Sequence, residues 1–151
     1  MASLTAKDIM YPRMSLPTNE KGESLINKLT CPYPGLPVVN DEMEVMGTVT
    51  EYDVLNALKE NRTVYEFSAE SIMSCGHPEH GVCTSPVTVQ AGASIEEIVD
   101  LFFEHKLSIL PVVEGKKLIG LITRKSIINV LSERGLWKEH ELQQRVHTVS
   151  R

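Results

Sequence analysis

Two stretches of the chain carry residues whose types and spacing suit the holding of a phosphorylated sugar. In Gly47-Thr48-Val49-Thr50-Glu51-Tyr52-Asp53, a hydroxyl is followed three positions on by a carboxylate, at the start of an apolar-striped segment. With Thr50 at the N-cap and Asp53 at N3 of a helix, the hydroxyl and free backbone donors face outward at the positive end of a helix dipole, a setting that favours phosphate. Asp53 itself would repel a phosphate, whereas a carboxylate accepting from a ribose 2′,3′-diol makes charge-assisted hydrogen bonds. The plain alternative is a capping box worth about 1 kcal/mol, with no ligand at all. Seventy-three positions later the chain reads Gly120-Leu121-Ile122-Thr123-Arg124-Lys125-Ser126, with the glycine and the threonine in register. Ser126 stands where a ribose would need an acid, and Arg124 and Lys125 replace Glu51 and Tyr52. Those cations suit a phosphate, or belong to a solvated helix start.

A third stretch, Cys75-Gly76-His77-Pro78-Glu79-His80-Gly81-Val82-Cys83, is a C-x-H-x-x-H-x-x-C cluster. Cys75, His77, His80 and Cys83 are soft and borderline ligands that suit zinc or iron. Against a metal, the usual zinc frameworks draw ligand pairs from two separated knuckles, and four ligands within nine residues strain the backbone even with Gly76 and Gly81. A polar glycine-rich loop with incidental histidines is the other reading. No Ser/His/Asp or Cys/His catalytic arrangement stands out.

The elements that must position these residues come in two copies. Val54, Leu55 and Leu58 match Ile127, Ile128 and Leu131, so both helices are expected to bury the same stripe. The turn Leu4 to Met10 returns as Phe67 to Met73, hydroxyl for hydroxyl and Ile-Met for Ile-Met. A short helix over Ser24 to Leu29 corresponds to a longer one from a capping box at Ser94 to about Lys106, the first copy lacking four residues. Leu36-Pro37-Val38-Val39 and Leu110-Pro111-Val112-Val113 are strands with proline expected at the first position, each returning as a hairpin. A strand is also expected over Pro86 to Val89. The class is therefore α/β (α+β): two βαββα repeats, packed sheet to sheet about a pseudo-twofold axis because neither can cover its own sheet. The first repeat with its linker takes 1–66, the second 67–135 with an insertion at 74–84, and a C-terminal helical extension 136–151, with Trp137 and a Leu142, Val146, Val149 face.

A proline-valine strand, a hairpin and Gly-x-x-Thr-x-x-Asp opening a helix, in tandem, resemble a cystathionine-β-synthase (CBS) domain pair, or Bateman module, over residues 4 to 133. The resemblance implies a ligand-sensing module without catalysis. It implies an adenine nucleotide (AMP, ADP or ATP) as regulatory ligand in clefts between paired repeats, a homodimer, and an enzyme or transporter regulated in trans. Carried over residue by residue, the better cleft places Asp53 on the ribose and Thr50 near phosphate, with Val87 and Ile109 on the adenine side and Lys125 reaching phosphate. The poorer cleft uses Thr123, Arg124, Ser126 and the Leu16-Pro17-Thr18 strand, and Ser126 departs from the family pattern.

Composition narrows the rest. Fifteen basic against twenty acidic residues, with no block of like charges, argues against nucleic acid as main partner. The longest apolar run, Leu107 to Val113, falls far below the roughly 18 residues of a spanning helix, so no membrane is expected. Met1 to Met10 lacks a signal-like apolar core, and three cysteines read as an odd set without a disulfide framework; together they point to a reducing cytoplasm. Besides the regulatory nucleotide module, two readings stay open: a ligand-free interaction or scaffolding module, and a metal or redox sensor acting through the Cys/His insertion.

Overall fold

The computed structural model describes residues 4–60 and 62–134; the expected extension over 136–151 lies outside them. The first repeat runs α1 (Ala6–Ile9), β1 (Tyr11–Pro12), β2 (Leu16–Pro17), α2 (Gly22–Lys28), β3 (Gly35–Val39), β4 (Val45–Thr50), α3 (Glu51–Lys59). The second runs α4 (Ala69–Ile72), β5 (Val89–Gln90), α5 (Ile95–His105), β6 (Ile109–Glu114), β7 (Lys117–Thr123), α6 (Arg124–Arg134). Helix α2 has seven residues and α5 eleven, the four-residue deficit read from the sequence.

The two sheets have orders β2-β3-β4 and β1-β7-β6-β5. Registers repeat pair for pair: Gly35↔Thr50 and Leu36↔Val49 in one hairpin, Ile109↔Thr123 and Leu110↔Ile122 in the other, with a bulge after Val38 and after Val112. Buried residues alternate between a face that packs under helices (Leu110, Val112, Ile122 with Ile98 and Phe102) and a face turned to the other sheet. The α+β, sheet-on-sheet architecture with twofold pseudo-symmetry is the one expected.

The repeats exchange their opening segments. Ala6 and Ile9 of α1 lie in the core with Val89, Ile98 and Val112, while Phe67, Ala69 and Ile72 lie in the core with Leu16, Leu25 and Val38. The crossing is backbone-bonded in matching fashion: the Ala6 N–H donates to the Ala93 carbonyl at 2.9 Å, and the Ala69 N–H to that of Glu20 at 2.8 Å. After each turn the chain passes over the other hairpin, Tyr11 opposite Leu121 and Ser74 opposite Thr48. This explains the glycine of each motif. A Cβ on Gly47 would lie 2.9 Å from the Ser74 carbonyl oxygen, and one on Gly120 2.7 Å from that of Tyr11, so only glycine lets the crossing segment approach.

Two expectations need correction. The prolines sit third, not first, in their strands. Thr48 uses both its N–H and its carbonyl on Ser74, at 2.9 Å each, so the Pro37–Thr48 pair exchanges no hydrogen bonds and the Pro37 nitrogen faces the β2 side. There β2 begins opposite Val38, too late to need a donor from Pro37. The strand expected over Pro86 to Val89 is reduced to Val89–Gln90, and Val87 precedes it.

Candidate ligand-binding cleft

Thr50 ends β4 with extended backbone and caps α3, which begins at Glu51. Asp53 is 2% exposed. Its Oδ2 accepts from the Thr50 N–H at 2.8 Å, the Thr50 hydroxyl at 2.9 Å and the Ser74 hydroxyl at 3.1 Å. Thr50 Oγ1 accepts in return from the Asp53 N–H at 3.3 Å. Burial raises the Asp53 pKa above the ordinary carboxylate value, while the Thr50 and Ser74 donors and the nearby His77 pull it back down. The capping box is thus real, and it commits the Thr50 hydroxyl hydrogen to the carboxylate. It uses one oxygen of Asp53. No donor among the described residues reaches Oδ1, and the one sealed, unpartnered side-chain atom is Thr48 Oγ1.

The second motif repeats the geometry without the charge. The Thr123 N–H donates to Ser126 Oγ at 2.8 Å, the Ser126 N–H donates to Thr123 Oγ1 at 3.1 Å, and both residues are buried. Ser126 therefore closes the cap that Asp53 closes in the first copy, and leaves no carboxylate for a diol.

Arg124 and Lys125 are exposed in the first turn of α6, which holds no acid, and neither forms an ion pair among the described residues. Arg124 lines a groove of about 530 Å³ together with Tyr52, His77, Lys106, Ser108 and Phe103. Its lining sets the Arg124 and Lys106 cations among largely apolar residues, and its volume is in the size range of small-ligand sites. Lys125 is not on this groove. Ile109 is buried at the start of β6, and Val87 packs half-buried on the second core. On the other repeat, Leu16 is fully buried in the core, and Thr18 is half-exposed with its N–H donated to the Val39 carbonyl at 3.2 Å.

Two of the four candidate ligands in the insertion are bonded to each other in the structure. Cys75 is disulfide-bonded to Cys83, with Cα atoms 4.8 Å apart, and Cys31 is the free cysteine. That corrects both the four-ligand set and the reading of the cysteines as unpaired, on which the reducing compartment partly rested. Among the described residues no group of three His, Cys, Asp or Glu side chains is placed to hold a metal ion. His77 and His80 make ring contacts with their neighbours. The His77 ring lies 5.3 Å from Tyr52, its Nδ1 accepts from the Glu79 N–H at 3.1 Å, and the His80 ring meets His105 edge-on at 5.9 Å. Glu79 pairs with Lys106 at 3.1 Å, which lowers the Glu79 pKa.

Sequence reasoning missed Ser74, Tyr52, Lys106 and Ser108. Tyr52 stood inside the first motif without a role, and Ser74 left a trace as the residue after the repeated Ile-Met pair.

The CBS domain sequence pattern matches this chain twice, at residues 6–60 and 81–133. The chain belongs to the CBS domain family. Its CBS pair is 34% identical over 102 residues to an uncharacterised protein, MJ1404, of Methanocaldococcus jannaschii, covering 65% of this chain and 24% of that one. It is 27% identical over 147 residues to the chloroplastic CBS domain-containing protein CBSX2 of Arabidopsis thaliana, covering 82% of this chain and 62% of that one. The chain thus spans about a quarter of the first relative and less than two thirds of the second. The crystal structure of CBSX2 in complex with AMP matches with a TM-score of 0.72 at 25% identity, over 88% of this chain and 99% of the other. The CBS pair of protein MJ0100, solved with 5′-methylthioadenosine and S-adenosyl-L-methionine, matches with a TM-score of 0.70 at 20% identity, over 85% and 99%, a likeness of fold. Among the described residues no helix is long and apolar enough to cross a membrane.

Proposed function

We propose that this CBS pair is a regulatory module, not an enzyme, that binds an adenine nucleotide of the AMP, ADP or ATP class beside Asp53. One observation carries the reading: a buried carboxylate at a helix start has one oxygen fully engaged by protein donors and the other unclaimed. The unclaimed oxygen is not sealed from solvent, and a vicinal diol supplies two donors in the span that one charged oxygen can take. Arg124, a groove-lining cation at the positive end of α6 with no acid in the first turn, is an unfavourable arrangement that a phosphate relieves. Val87 and the segment leading into Ile109 supply apolar surface for the base. The AMP complex of CBSX2 supports the ligand class.

The output runs through assembly. Leu55 (59% exposed), Ile128 (56%) and Phe103 (79%) leave apolar helix flanks uncovered in the single chain, and closed pairing of two copies covers them. Nucleotide binding then changes the geometry of that homodimer, which an enzyme or transporter partner reads in trans. Thermal-shift and calorimetric titration of the full chain with AMP, ADP, ATP and S-adenosylmethionine test the reading, since a ligand specific to the native state raises Tm. A saturable rise with an adenine nucleotide is expected. No shift and no heat with any of the four would leave the scaffolding role in its place.

A further inference from the structure

We infer that Cys75 and Cys83 are a reversible thiol–disulfide site that sets the nucleotide affinity of the Asp53 cleft; this rests on the nucleotide reading above. From Met10 to Leu16 the first repeat needs six steps, and from Met73 to the equivalent Val89 the second takes sixteen. The disulfide joins the two ends of that extra chain, so the segment between them projects as a loop while the repeat continues as in the first copy.

The Cys75 end of the bridge touches the cleft. Ser74, beside Cys75, donates to Asp53 and accepts from the Gly76 N–H at 3.3 Å. The Cys75 carbonyl accepts from Val87 at 3.3 Å, on the side assigned to the base. Gly76, at φ 143°, passes against the Leu107 side chain where a Cβ would not fit. Within the loop, His77 forms part of the groove wall against Tyr52. Little else holds the loop. Glu79, His80, Gly81 and Val82 are exposed, and the Glu79–Lys106 pair is a surface ion pair of small worth.

The bond is reachable. Both cysteines are half-buried, and Cys83 lines a second cavity of about 540 Å³ with Met46, Met73 and Thr88. A dithiol reductant fits the chemistry. Its thiolate attacks Cys83 Sγ, forming a mixed disulfide and expelling the Cys75 thiolate, which takes up a proton. The second thiol of the reductant then displaces Cys83 and leaves as the cyclic disulfide, so the protein gains two electrons and two protons and the dithiol loses them. The reduced loop regains freedom that nucleotide binding must remove again, which weakens binding by about tenfold.

The test takes the full chain, oxidised or reduced with dithiothreitol, with each state verified by alkylation and mass spectrometry, and titrates AMP into both by calorimetry. Hydrogen exchange of the Ser74 to Val87 amides is followed in parallel, without ligand. The proposal expects about tenfold weaker AMP binding and faster exchange on reduction, with a Cys75→Ser, Cys83→Ser variant behaving as the reduced protein and ignoring dithiothreitol. Equal affinity in the two states overturns it, as does alkylation of all three cysteines after exposure to oxidant. If AMP binds neither state the nucleotide reading fails, and exchange decides for the bridge alone: protection lost on reduction supports a latch on Asp53, and unchanged protection refutes it.

Discussion

Asp53→Asn separates the ligand role of Asp53 from its structural role. Alanine would leave the Thr50 N–H, the Thr50 hydroxyl and the Ser74 hydroxyl without their shared acceptor, at about 1–3 kcal/mol for each buried donor left unpaired. Asparagine keeps one oxygen for those donors and puts an NH₂ where Oδ1 was, so the cap survives while the charge-assisted acceptor for a diol is lost. Hydrogen bonds to a charged group contribute about 1.5–3 kcal/mol, so AMP affinity should fall by roughly 10- to 150-fold. The pH dependence follows from the raised Asp53 pKa. A carboxyl whose folded pKa lies above its unfolded value holds its proton more tightly when folded. Its effect on folding is therefore most favourable below the unfolded pKa and declines as pH rises through the folded one. Ligand binding needs the ionised form, so AMP affinity should rise with pH through that same window in the wild type and lose this component in Asp53→Asn. Calorimetry with AMP, beside urea unfolding of each protein, measures both. An Asn variant that folds normally and binds AMP within twofold of wild type would refute the ribose assignment.

Ser126→Asp restores the carboxylate that the second motif lacks, and calorimetry should show the AMP stoichiometry rising above that of wild type; an unchanged stoichiometry and affinity would count against a missing acid as the defect. Gly47→Ala and Gly120→Ala should each destabilise by about 1–3 kcal/mol in urea unfolding, because the added methyl meets a backbone carbonyl of the crossing segment, and a neutral result would contradict the close approach. Thr48→Val removes a sealed hydroxyl without a partner at the position where the second repeat has Leu121, so it should stabilise by about 1–2 kcal/mol; a loss of stability would show that the hydroxyl is satisfied. Light scattering at micromolar concentration should give a dimer for wild type and a monomer for Leu55→Asp with Ile128→Asp, and a monomeric wild type would end the assembly reading.

What could be read from the sequence was local. The hairpins, the two caps and the one-turn difference between α2 and α5 depend on residues within a few positions of each other, and the tandem repeat displayed each of them twice. What could not be read depends on contacts distant in the chain. Ser74 completes Asp53 from twenty-one positions away. The turns enter the opposite cores because the chain crosses between sheets, which no periodicity records. Pro37 sits mid-strand because its neighbour β2 is short, a property of another element. Cys75 and Cys83 looked like metal ligands because ligand type is written in the sequence, whereas the 4.8 Å between their Cα atoms is not. Arg124, not Lys125, reaches the groove because of helix phase relative to α3 and α5, which the pattern of charges alone does not set.

The central claim is that an adenine nucleotide binds beside Asp53, and amide chemical-shift mapping of the oxidised full-length chain with AMP tests it most directly. The account predicts saturable shifts at Asp53, Ser74, His77, Val87 and Arg124, with little change around Thr18 and Ser126. Shifts confined to the Ser126 motif and Thr18, or none at saturating AMP, would contradict it.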